Sequence, residues 1–359
     1  MKKKQKFKSY ILKLLTKKKQ NDFNIKLSKK VLMLRYDRIG DMIITTPVFR
    51  ELKREYPNIE INVLASKTNA IILKNNPYID NIYHNSKNNL LLDLPALFRL
   101  RSQKIDVCFE FDHSVVRHAI IRLIIIKPKK IISVEKQGRY GVSGSSMKIY
   151  DHYTDKLKDA HFRDIWLNTL KPFDINPVSN KYDIFLDKEH ENRANTYLKK
   201  YRSKLLIGIN LKGAVKGKKI LYQELSEICK GLFEINNNIQ IIIIYEPNKS
   251  QDVNKEINSM NLDYVSESYR TNSILDASAL IKNLDIVISP DTAITHIASA
   301  FNKPIISIHE NNHDSYNLFA PCSDINRTIF SNSKNSLEGF SVGELLIAAR
   351  ELIRLFKTE

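Results

Sequence analysis

A short segment near residue 40 carries residue types that could take part in acid–base chemistry. Arg38, Gly40, Asp41 and Thr45 follow an apolar run at 31–36 and open a helical pattern. A glycine at such a turn permits backbone conformations, or a close approach of a ligand, that a side chain would block. A carboxylate at a helix start is favoured by the helix dipole, by about 0.3 to 1 kcal/mol. Asp41 is therefore either a helix-start residue or a general base at a crevice, with Arg38 nearby to keep it ionised or to bind an anion.

A second segment near residue 291 combines a sharp turn with the start of a helix. Pro290 ends an apolar run at 286–289, and Asp291, Thr292 and His296 follow it. Asp291 or Thr292 could cap the helix, whose free N–H groups form an anion site suited to a nucleotide diphosphate. Capping alone explains Asp291 equally well, and His296 could be a histidine of the core. The residues alone leave these alternatives open.

A third segment has the spacing of a zinc-peptidase motif. His309, Glu310 and His313 would then supply two metal ligands one helical turn apart and a catalytic base. However, the motif directly follows a β-branched run at 304–308, contains two adjacent asparagines that favour turns, and is not embedded in a long amphipathic helix. The sequence therefore predicts a crevice-lining loop here and no catalytic metal.

Short apolar runs alternate with amphipathic stretches along the chain, and these elements must position the polar segments. Strands are predicted at 31–36, 61–65, 80–84 and 107–111, and then at 182–186, 205–209, 239–245, 286–289 and 304–308. Strands that alternate with helices indicate parallel, doubly wound α/β sheets. A break near 172–190 separates two such halves. Ligands bind these sheets at the carboxyl ends of the strands, which is where the first two polar segments are predicted to lie.

Length and composition describe a chain long enough for two domains. It has 359 residues, of which 43% are hydrophobic and 27% charged, so wholesale disorder is excluded. The longest apolar runs fall far short of the roughly 20 residues that cross a bilayer, and no transmembrane helix is expected. The three cysteines lie far apart in the sequence. This spacing indicates a reducing compartment and no zinc ribbon.

The formal charge of +18 is concentrated at the start of the chain, where residues 1–20 contain nine lysines and no acid. A lysine interrupts the apolar stretch of this arm, so a secretory signal is not expected. In a helix, Phe7, Ile11, Leu14 and Leu15 would share one face surrounded by lysines, which is typical of a segment lying on an anionic membrane. A solvated disordered arm and a nucleic-acid arm are the alternatives. The lack of arginines and of interleaved aromatics disfavours the second.

The first two polar segments together resemble glycosyltransferase family 9, the bacterial heptosyltransferases of lipopolysaccharide core assembly. The first matches an Arg-Ile-Gly-Asp motif that continues to Thr-Pro in a strand–turn–helix context. The second matches the family's Asp-(Ser/Thr)-x-x-x-His-x-Ala motif through Asp291, Thr292, His296 and Ala298. The resemblance extends over about residues 30–355 and leaves out the lysine-rich arm.

This resemblance implies a role for each motif. Asp41 would be the catalytic base, and Arg38, Gly40 and Thr45 would line the acceptor side of a cleft. The second helix start would receive the phosphates of a nucleotide-sugar donor, while its aspartate contacts donor hydroxyls. The donor-binding residues implied by this motif are Pro290, Asp291, Thr292, Ala293 and His296.

The chain departs from the family pattern between the two motifs. The family places a phosphate-binding lysine before a Trp-Pro or similar, but the segment 210–221 has no Trp-Pro. The phosphate lysine could therefore be Lys212, Lys216, Lys218 or Lys219, and Asn210 at the strand end is a further donor-binding candidate. Glu246 could contact the ribose or be a surface carboxylate. The turn near Glu246 lacks the glycine that is common in the family, so the adenosine pocket is expected to differ.

The resemblance implies an α/β fold of the GT-B type, with two Rossmann-like domains and a cleft between them. Residues 1–28 would form the basic arm and 29–185 the acceptor-binding domain. Residues 186–335 would bind the nucleotide sugar, and 336–359 would form a helix that returns to the first domain. In this arrangement Asp41 and the helix start at Thr292 face each other across the cleft.

The expected activity is that of an inverting, metal-independent glycosyltransferase without a cofactor. It would move a heptose, with ADP-heptose as the expected donor, onto a lipopolysaccharide or lipooligosaccharide core acceptor. Its partners would be the nucleotide sugar, the anionic glycolipid and, through the lysine-rich arm, the inner face of the inner membrane. We expect a cytoplasmic, peripheral monomer that binds no nucleic acid. The alternatives are a family 9-like transferase with another nucleotide sugar, and a basic membrane- or nucleic-acid-binding protein without catalysis.

Overall fold

The chain forms two α/β units, Met1–Asn180 and Lys181–Glu359. The computed structural model describes residues 9–10, 12, 21–86, 90–137, 139, 142, 147–154, 160–213, 217–246 and 250–356. Most of the lysine-rich arm lies outside these residues, and so does Lys216. The chain divides after residue 180, whereas the predicted domain boundary falls after residue 185.

The first unit is built on a parallel six-stranded sheet. Its strands are β1 (Lys30–Leu34), β2 (Glu60–Ser66), β3 (Asn81–Asn85), β4 (Val107–Glu110), β5 (Lys130–Val134) and β6 (His152–Thr154). Its helices are α1 (Ile39–Glu55), α2 (Leu90–Ser102), α3 (Arg117–Ile126) and α4 (Phe162–Leu167), with 3-10 turns at Ile25–Leu27, Ala70–Leu73 and Asn168–Phe173. The spatial order β3-β2-β1-β4-β5-β6 is that of a Rossmann sheet.

The central strands of this sheet are apolar on both faces. β1, for example, buries four successive residues. This is expected of parallel strands that are covered by helices on both sides, and it explains why continuous apolar runs predicted them. The chain reverses its winding between β1 and β4, so the loops after these two strands open a crevice at the carboxyl edge of the sheet.

The second unit repeats this architecture. Its strands are β7 (Leu205–Asn210), β8 (Ile239–Ile244), β9 (Val265–Glu267), β10 (Ile286–Pro290), β11 (Ile305–His309) and β12 (Asn326–Phe330). Its helices are α5 (Lys188–Leu198), α6 (Tyr222–Ile235), α7 (Ser250–Met260), α8 (Ile274–Lys282), α9 (Ala293–Ala300), α10 (His313–Phe319) and α11 (Val342–Arg354), with a 3-10 turn at Lys199–Tyr201. The order β12-β11-β10-β7-β8-β9 places the reversal of winding between β7 and β10.

Of two predicted elements of the second unit, the strand at 182–186 is absent and the final helix is present. The strand predicted at 182–186 does not form, although Tyr182 of this segment is buried. The final helix does form as α11, and its apolar stripe packs on α6, β11 and β12, which buries Leu345 and Leu352. The return of residues 336–359 to the first domain stays a prediction. Within the described residues, no helix is both long and apolar enough to cross a bilayer.

Candidate active site

Asp41 lies in the first turn of α1, directly after the turn that leaves β1. Its Oδ2 accepts a hydrogen bond from the backbone N–H of Arg38, over 3.3 Å, and the Thr45 hydroxyl donates to the Asp41 carbonyl over 2.8 Å. Gly40 lies inside the helix, and among the described glycines only Gly217 and Gly339 have positive φ. Gly40 therefore does not adopt the left-handed backbone conformation that favours glycine. The remaining expected role is that its missing side chain lets a ligand approach the backbone closely.

The guanidinium that holds Asp41 belongs to Arg35, a residue that sequence reasoning missed. Its two terminal nitrogens pair with Asp41, over 3.3 Å, and with Asp37, over 3.1 Å. The Arg35 side chain is 3% exposed and lies 4.0 Å from the centre of the Trp166 ring, which fixes its position. Arg38 was the predicted partner, but its side chain is exposed and its contact with Asp41 is through the backbone.

Asp41 therefore combines a fixed orientation with partial access to solvent. Its side chain is 15% exposed, so it is held by Arg35 without being sealed in the core. A carboxylate that is fixed and reachable in this way can accept a proton from a hydroxyl group brought within hydrogen-bond distance.

A second carboxyl group lies close to this turn, at the end of β4. The backbone N–H of Asp112 donates to Glu110 over 2.9 Å, and Glu110 forms a buried ion pair with Lys136. Burial raises the pKa of Asp112 well above its usual range, and the negative charges of Glu110 and Asp37 add to this effect. Sequence analysis did not single out this cluster, although Glu110 lies in a strand that was predicted and Asp112 directly follows it.

The start of α9 is organised by contacts between β7 and β10. The Asn210 amide at the end of β7 donates to Ser289, over 3.0 Å, and to the Thr292 hydroxyl, over 3.1 Å. Thr292 is the N-cap of α9, and its hydroxyl accepts from the N–H of Ile294 over 3.2 Å. Asn210 and Thr292 were predicted separately, and the structure brings them into direct contact at the reversal point of the sheet.

Of the three candidate lysines that the structure describes, one reaches this helix start. The Lys218 ammonium lies 2.5 Å from Asp291 Oδ2 and 3.3 Å from Glu310 Oε2, and all three side chains are mostly buried. Lys212 instead pairs with Glu246 over 3.3 Å, and both of these side chains are about half exposed. Lys219 is exposed. Lys218 is therefore the described lysine placed beside the predicted anion site.

Glu310 belongs to the segment that was predicted to be a crevice-lining loop, and the structure places it after β11 and beside Lys218. Sequence reasoning gave it no role in donor binding. Burial alone would raise the pKa of Asp291, but His309 and Lys218 outweigh burial, and the pKa lies below its usual value. The Lys218 ammonium therefore faces two carboxyl groups, those of Asp291 and Glu310. When the ammonium turns to another anion, the oxygens of both carboxyl groups become free to accept hydrogen bonds from the hydroxyl groups of a polyol.

His296, a predicted donor-site residue, and His309, from the zinc-peptidase-like motif, are both buried in this part of the second unit. His296 packs edge-on against Tyr182, with 6.2 Å between ring centres. His309 ends β11, and its Nε2 has no hydrogen-bond partner among the described atoms. His309 and His313 lie on a strand end and at a helix start, and the described residues contain no group of His, Cys, Asp and Glu side chains placed to hold a metal. The segment is therefore not the helix that a zinc peptidase requires.

Stability in mild acid should depend on His309. Burial lowers the pKa of His309 from 6.5 to about 4, with the neighbouring positive charges of Lys218 and His296 acting in the same direction and Asp291 opposing them. Because the unfolded chain binds the proton first, this stability is complete above pH 6.5 and is lost as the pH falls towards 4. The loss is about 3 kcal/mol.

The His309→Gln variant should therefore have a flatter dependence of the free energy of unfolding on pH between 6.5 and 4, measured by urea denaturation. His313→Gln is the control for the loss of a histidine outside the cluster. An unchanged pH slope in the His309 variant would show that His309 is already free to protonate in the folded chain.

Two sheets of Rossmann order, each with polar residues at its reversal point, define a fold of the GT-B type. Solved structures share this fold. The glycosyltransferase family 9 structure from Veillonella parvula matches with a TM-score of 0.74 at 15% identity, over 93% of this chain and 99% of the other. The E. coli ADP-heptose lipopolysaccharide heptosyltransferase II matches with a TM-score of 0.71 at 15% identity, over 91% and 99%.

The sequence comparisons then identify the family. The lipopolysaccharide heptosyltransferase 1 of Campylobacter coli is 22% identical over 322 residues, which are 85% of this chain and 90% of that protein. The core heptosyltransferase OpsX of Haemophilus influenzae is 23% identical over 284 residues, 78% of this chain and 79% of that protein. The sequence model of glycosyltransferase family 9 (heptosyltransferase) matches residues 98–341, and the chain belongs to this family. That match includes Asn210, Lys218 and Thr292, whereas Asp41 precedes it.

Proposed function

We propose that the chain transfers a heptose from ADP-heptose to a lipopolysaccharide or lipooligosaccharide core acceptor, with inversion at the anomeric carbon and without a metal. Family membership supports the transfer of a sugar, and the names of the relatives favour heptose. A further neighbour of the same fold, with a TM-score of 0.67, is the E. coli heptosyltransferase WaaC with ADP-2-deoxy-2-fluoro heptose. The observation that carries the proposal is the contact of Lys218 and Asn210 with the two residues that begin the α9 motif.

On the donor side, the start of α9 and Lys218 would receive the diphosphate. Backbone N–H groups at the start of a helix bind phosphate oxygens, and a lysine adds a point charge. The diphosphate gains negative charge as the glycosidic bond breaks, so these groups stabilise the transition state. Since ADP is a good leaving group, this site can promote departure without a second carboxylic acid of the glycosidase kind.

The carboxylates of the same site would recognise the sugar. In the free protein, Asp291 and Glu310 share the Lys218 ammonium. When that ammonium turns to the diphosphate, both carboxylates can accept hydrogen bonds from sugar hydroxyls. Glu246, with Lys212 beside it, stays the candidate for the ribose. Pro290, Ala293 and His296 would shape the same site.

On the acceptor side, Asp41 would take the proton of the attacking hydroxyl. Arg35 holds its carboxylate, and the partial exposure of Asp41 admits the acceptor. General base catalysis of this kind contributes about 10² to 10⁴ in rate. A single displacement by the hydroxyl inverts the configuration at the anomeric carbon. Arg38, Gly40 and Thr45 are proposed to line the path of the acceptor.

The acceptor also suggests where the enzyme works. An anionic glycolipid is held in a membrane, so a cytoplasmic enzyme gains local substrate concentration by resting on the inner face of that membrane. The nine lysines of residues 1–20 suit such a surface, where each adds about 1 kcal/mol. We propose a peripheral monomer that needs no nucleic-acid partner.

A screen of nucleotide sugars by thermal stabilisation tests the donor. A ligand that binds the folded chain raises its melting temperature, by an amount equivalent to about 2.7 kcal/mol at a hundredfold excess over Kd. ADP-heptose should stabilise more than ADP-mannose, ADP-glucose, UDP-glucose or GDP-mannose. Greater stabilisation by a UDP- or GDP-sugar would contradict ADP-heptose as the donor and would favour a family 9 transferase that uses another nucleotide sugar.

A further inference from the structure

The outer face of helices α2 and α3 in the first unit is unusually apolar for an exposed surface. On α2, Leu91, Leu92 and Phe98 are 74%, 68% and 57% exposed. Ile121 of α3 is also partly exposed, and α3 packs beside α2. Single exposed apolar residues are normal, but several on one face indicate a surface that is covered by something.

The opposite side of α2 packs in the core of the unit. Leu97 and Leu100 of α2 are fully buried in the core of the unit. Asp93 points the same way and pairs with the buried Arg122 over 2.6 Å. The helix is therefore fixed by its inner side, and positions 91, 95 and 98, one helical turn apart, share its outer side.

The charges of this face have one sign. Across 90–102 and 117–126 the sequence contains one acid, Asp93, and that residue is buried in its ion pair. Arg99, Arg101 and Arg117 are exposed. Arg99 lies over the Tyr83 ring, with 5.6 Å to its centre, and Arg101 donates to the Ile125 carbonyl over 3.0 Å. Fixed guanidinium groups thus stand beside the exposed apolar side chains.

One described residue of the lysine-rich arm belongs to the hydrophobic core that α2 and α3 cover. Leu12 is buried and belongs to the hydrophobic cluster that contains Leu97 of α2 and Leu123 of α3. Tyr10, two residues earlier, is 65% exposed. A segment of high positive charge is therefore anchored to the side of the unit that presents the apolar and basic helix face.

We propose that the outer face of α2 and α3 docks on an anionic lipid bilayer. Leu91, Leu92 and Phe98 would enter the boundary between headgroups and acyl chains, while Arg99 and Arg101 contact lipid phosphates. Charge favours lipid over a second copy of the chain, because a two-fold contact of this face with itself would bring arginines against arginines. The inference rests on the proposed function only in that a lipid-linked acceptor brings the enzyme to a membrane.

Co-sedimentation of the full chain with vesicles tests this docking. Vesicles of phosphatidylcholine alone are compared with an equal mixture of phosphatidylcholine and phosphatidylglycerol. Partitioning onto the mixed vesicles should fall about tenfold or more in the variant Leu91→Gln/Leu92→Gln/Phe98→Gln, because the apolar contribution is removed. The variant Arg99→Gln/Arg101→Gln should bind several-fold less tightly and depend less on salt.

Matched controls separate docking from general loss of apolar surface. Val178→Gln in the same unit and Ile347→Gln in α11 also remove exposed apolar side chains, and both should bind as the unaltered chain does. Circular dichroism and melting should show that all variants fold. A chain lacking residues 1–8 loses five of the nine lysines of the arm and so measures their contribution separately. The α2 substitutions should weaken the binding of this shortened chain too.

Three results would overturn the inference. Vesicle binding could be unchanged in the α2 variants, or lost equally in the controls. Sedimentation velocity could instead reveal a dimer that the α2 substitutions dissociate, which would make the face a protein contact. The outcome of the vesicle experiment does not depend on the proposed transfer, because the vesicles contain neither donor nor acceptor. Transfer to a soluble acceptor fragment should be the same in the α2 variants and in the unaltered chain.

Discussion

Replacing Asp41 by asparagine should abolish nearly all sugar transfer and leave donor binding intact. The amide keeps the size of the side chain and can still accept from the Arg38 N–H, but it cannot take up the proton of an attacking hydroxyl. The expected fall in kcat is about 10² to 10⁴-fold, the usual contribution of a general base. The measurement is the initial rate of transfer with saturating donor, together with the Kd for ADP.

Asp37→Asn is the matched control for this variant. Asp37 pairs with the same Arg35 guanidinium as Asp41 does, so its replacement disturbs the electrostatic surroundings without removing the proposed base. It should retain most of the transfer rate. Near-normal turnover of Asp41→Asn, or an equal loss in both variants, would remove Asp41 from the role of base.

Replacing Lys218 by glutamine should have the second largest effect, on donor binding. A hydrogen bond to a charged group contributes about 1.5 to 3 kcal/mol, so the affinity for ADP should fall about 10- to 100-fold. The loss includes repulsion, because Asp291 and Glu310 then face the diphosphate without the ammonium between them. Isothermal titration with ADP measures it, and a melting curve checks that the fold is retained.

Lys212→Gln provides the comparison among the candidate lysines. Its pair with Glu246 is about half exposed, and such pairs contribute about 0 to 1 kcal/mol. The affinity for ADP should therefore change by no more than a few-fold. A large loss with Lys212→Gln and none with Lys218→Gln would move the phosphate contact to the other lysine. The double variant Lys218→Gln/Glu310→Gln should recover part of the affinity, since it removes one of the two uncompensated charges.

Much of the fold could be predicted from the sequence because its central strands are buried on both faces. Such strands appear as continuous apolar runs, and those of β1, β2, β7, β8, β10 and β11 were placed correctly. The strands β5, β6, β9 and β12 were missed. Three of them, β6, β9 and β12, are short or partly polar and lie at sheet edges. The strand β5 is an interior strand, but its apolar run is short and is interrupted by Ser133. The strand predicted at 182–186 was wrong, because this segment forms no strand in the structure. Its apolar residues serve packing instead, since the Tyr182 ring lies against His296.

The candidate site could be predicted where its residues are close in sequence to a strand end. Asp41 and Thr292 are of this kind, since each opens the helix that follows a central strand. Arg35 could not be assigned, because its position depends on a ring more than a hundred residues later, Trp166. The choice of Lys218 among the described candidate lysines depends on Glu310 and Asp291, which only the three-dimensional packing brings beside it.

The most direct test of the proposed activity is the anomeric configuration of the product. The purified chain is incubated with ADP-heptose and a core oligosaccharide acceptor in the presence of EDTA, and the new linkage is determined by NMR. We predict a heptosylated product whose anomeric configuration is opposite to that of the donor. A product that retains the anomeric configuration of the donor would contradict the proposal. So would the transfer of a sugar from another nucleotide sugar when no heptose is transferred from ADP-heptose.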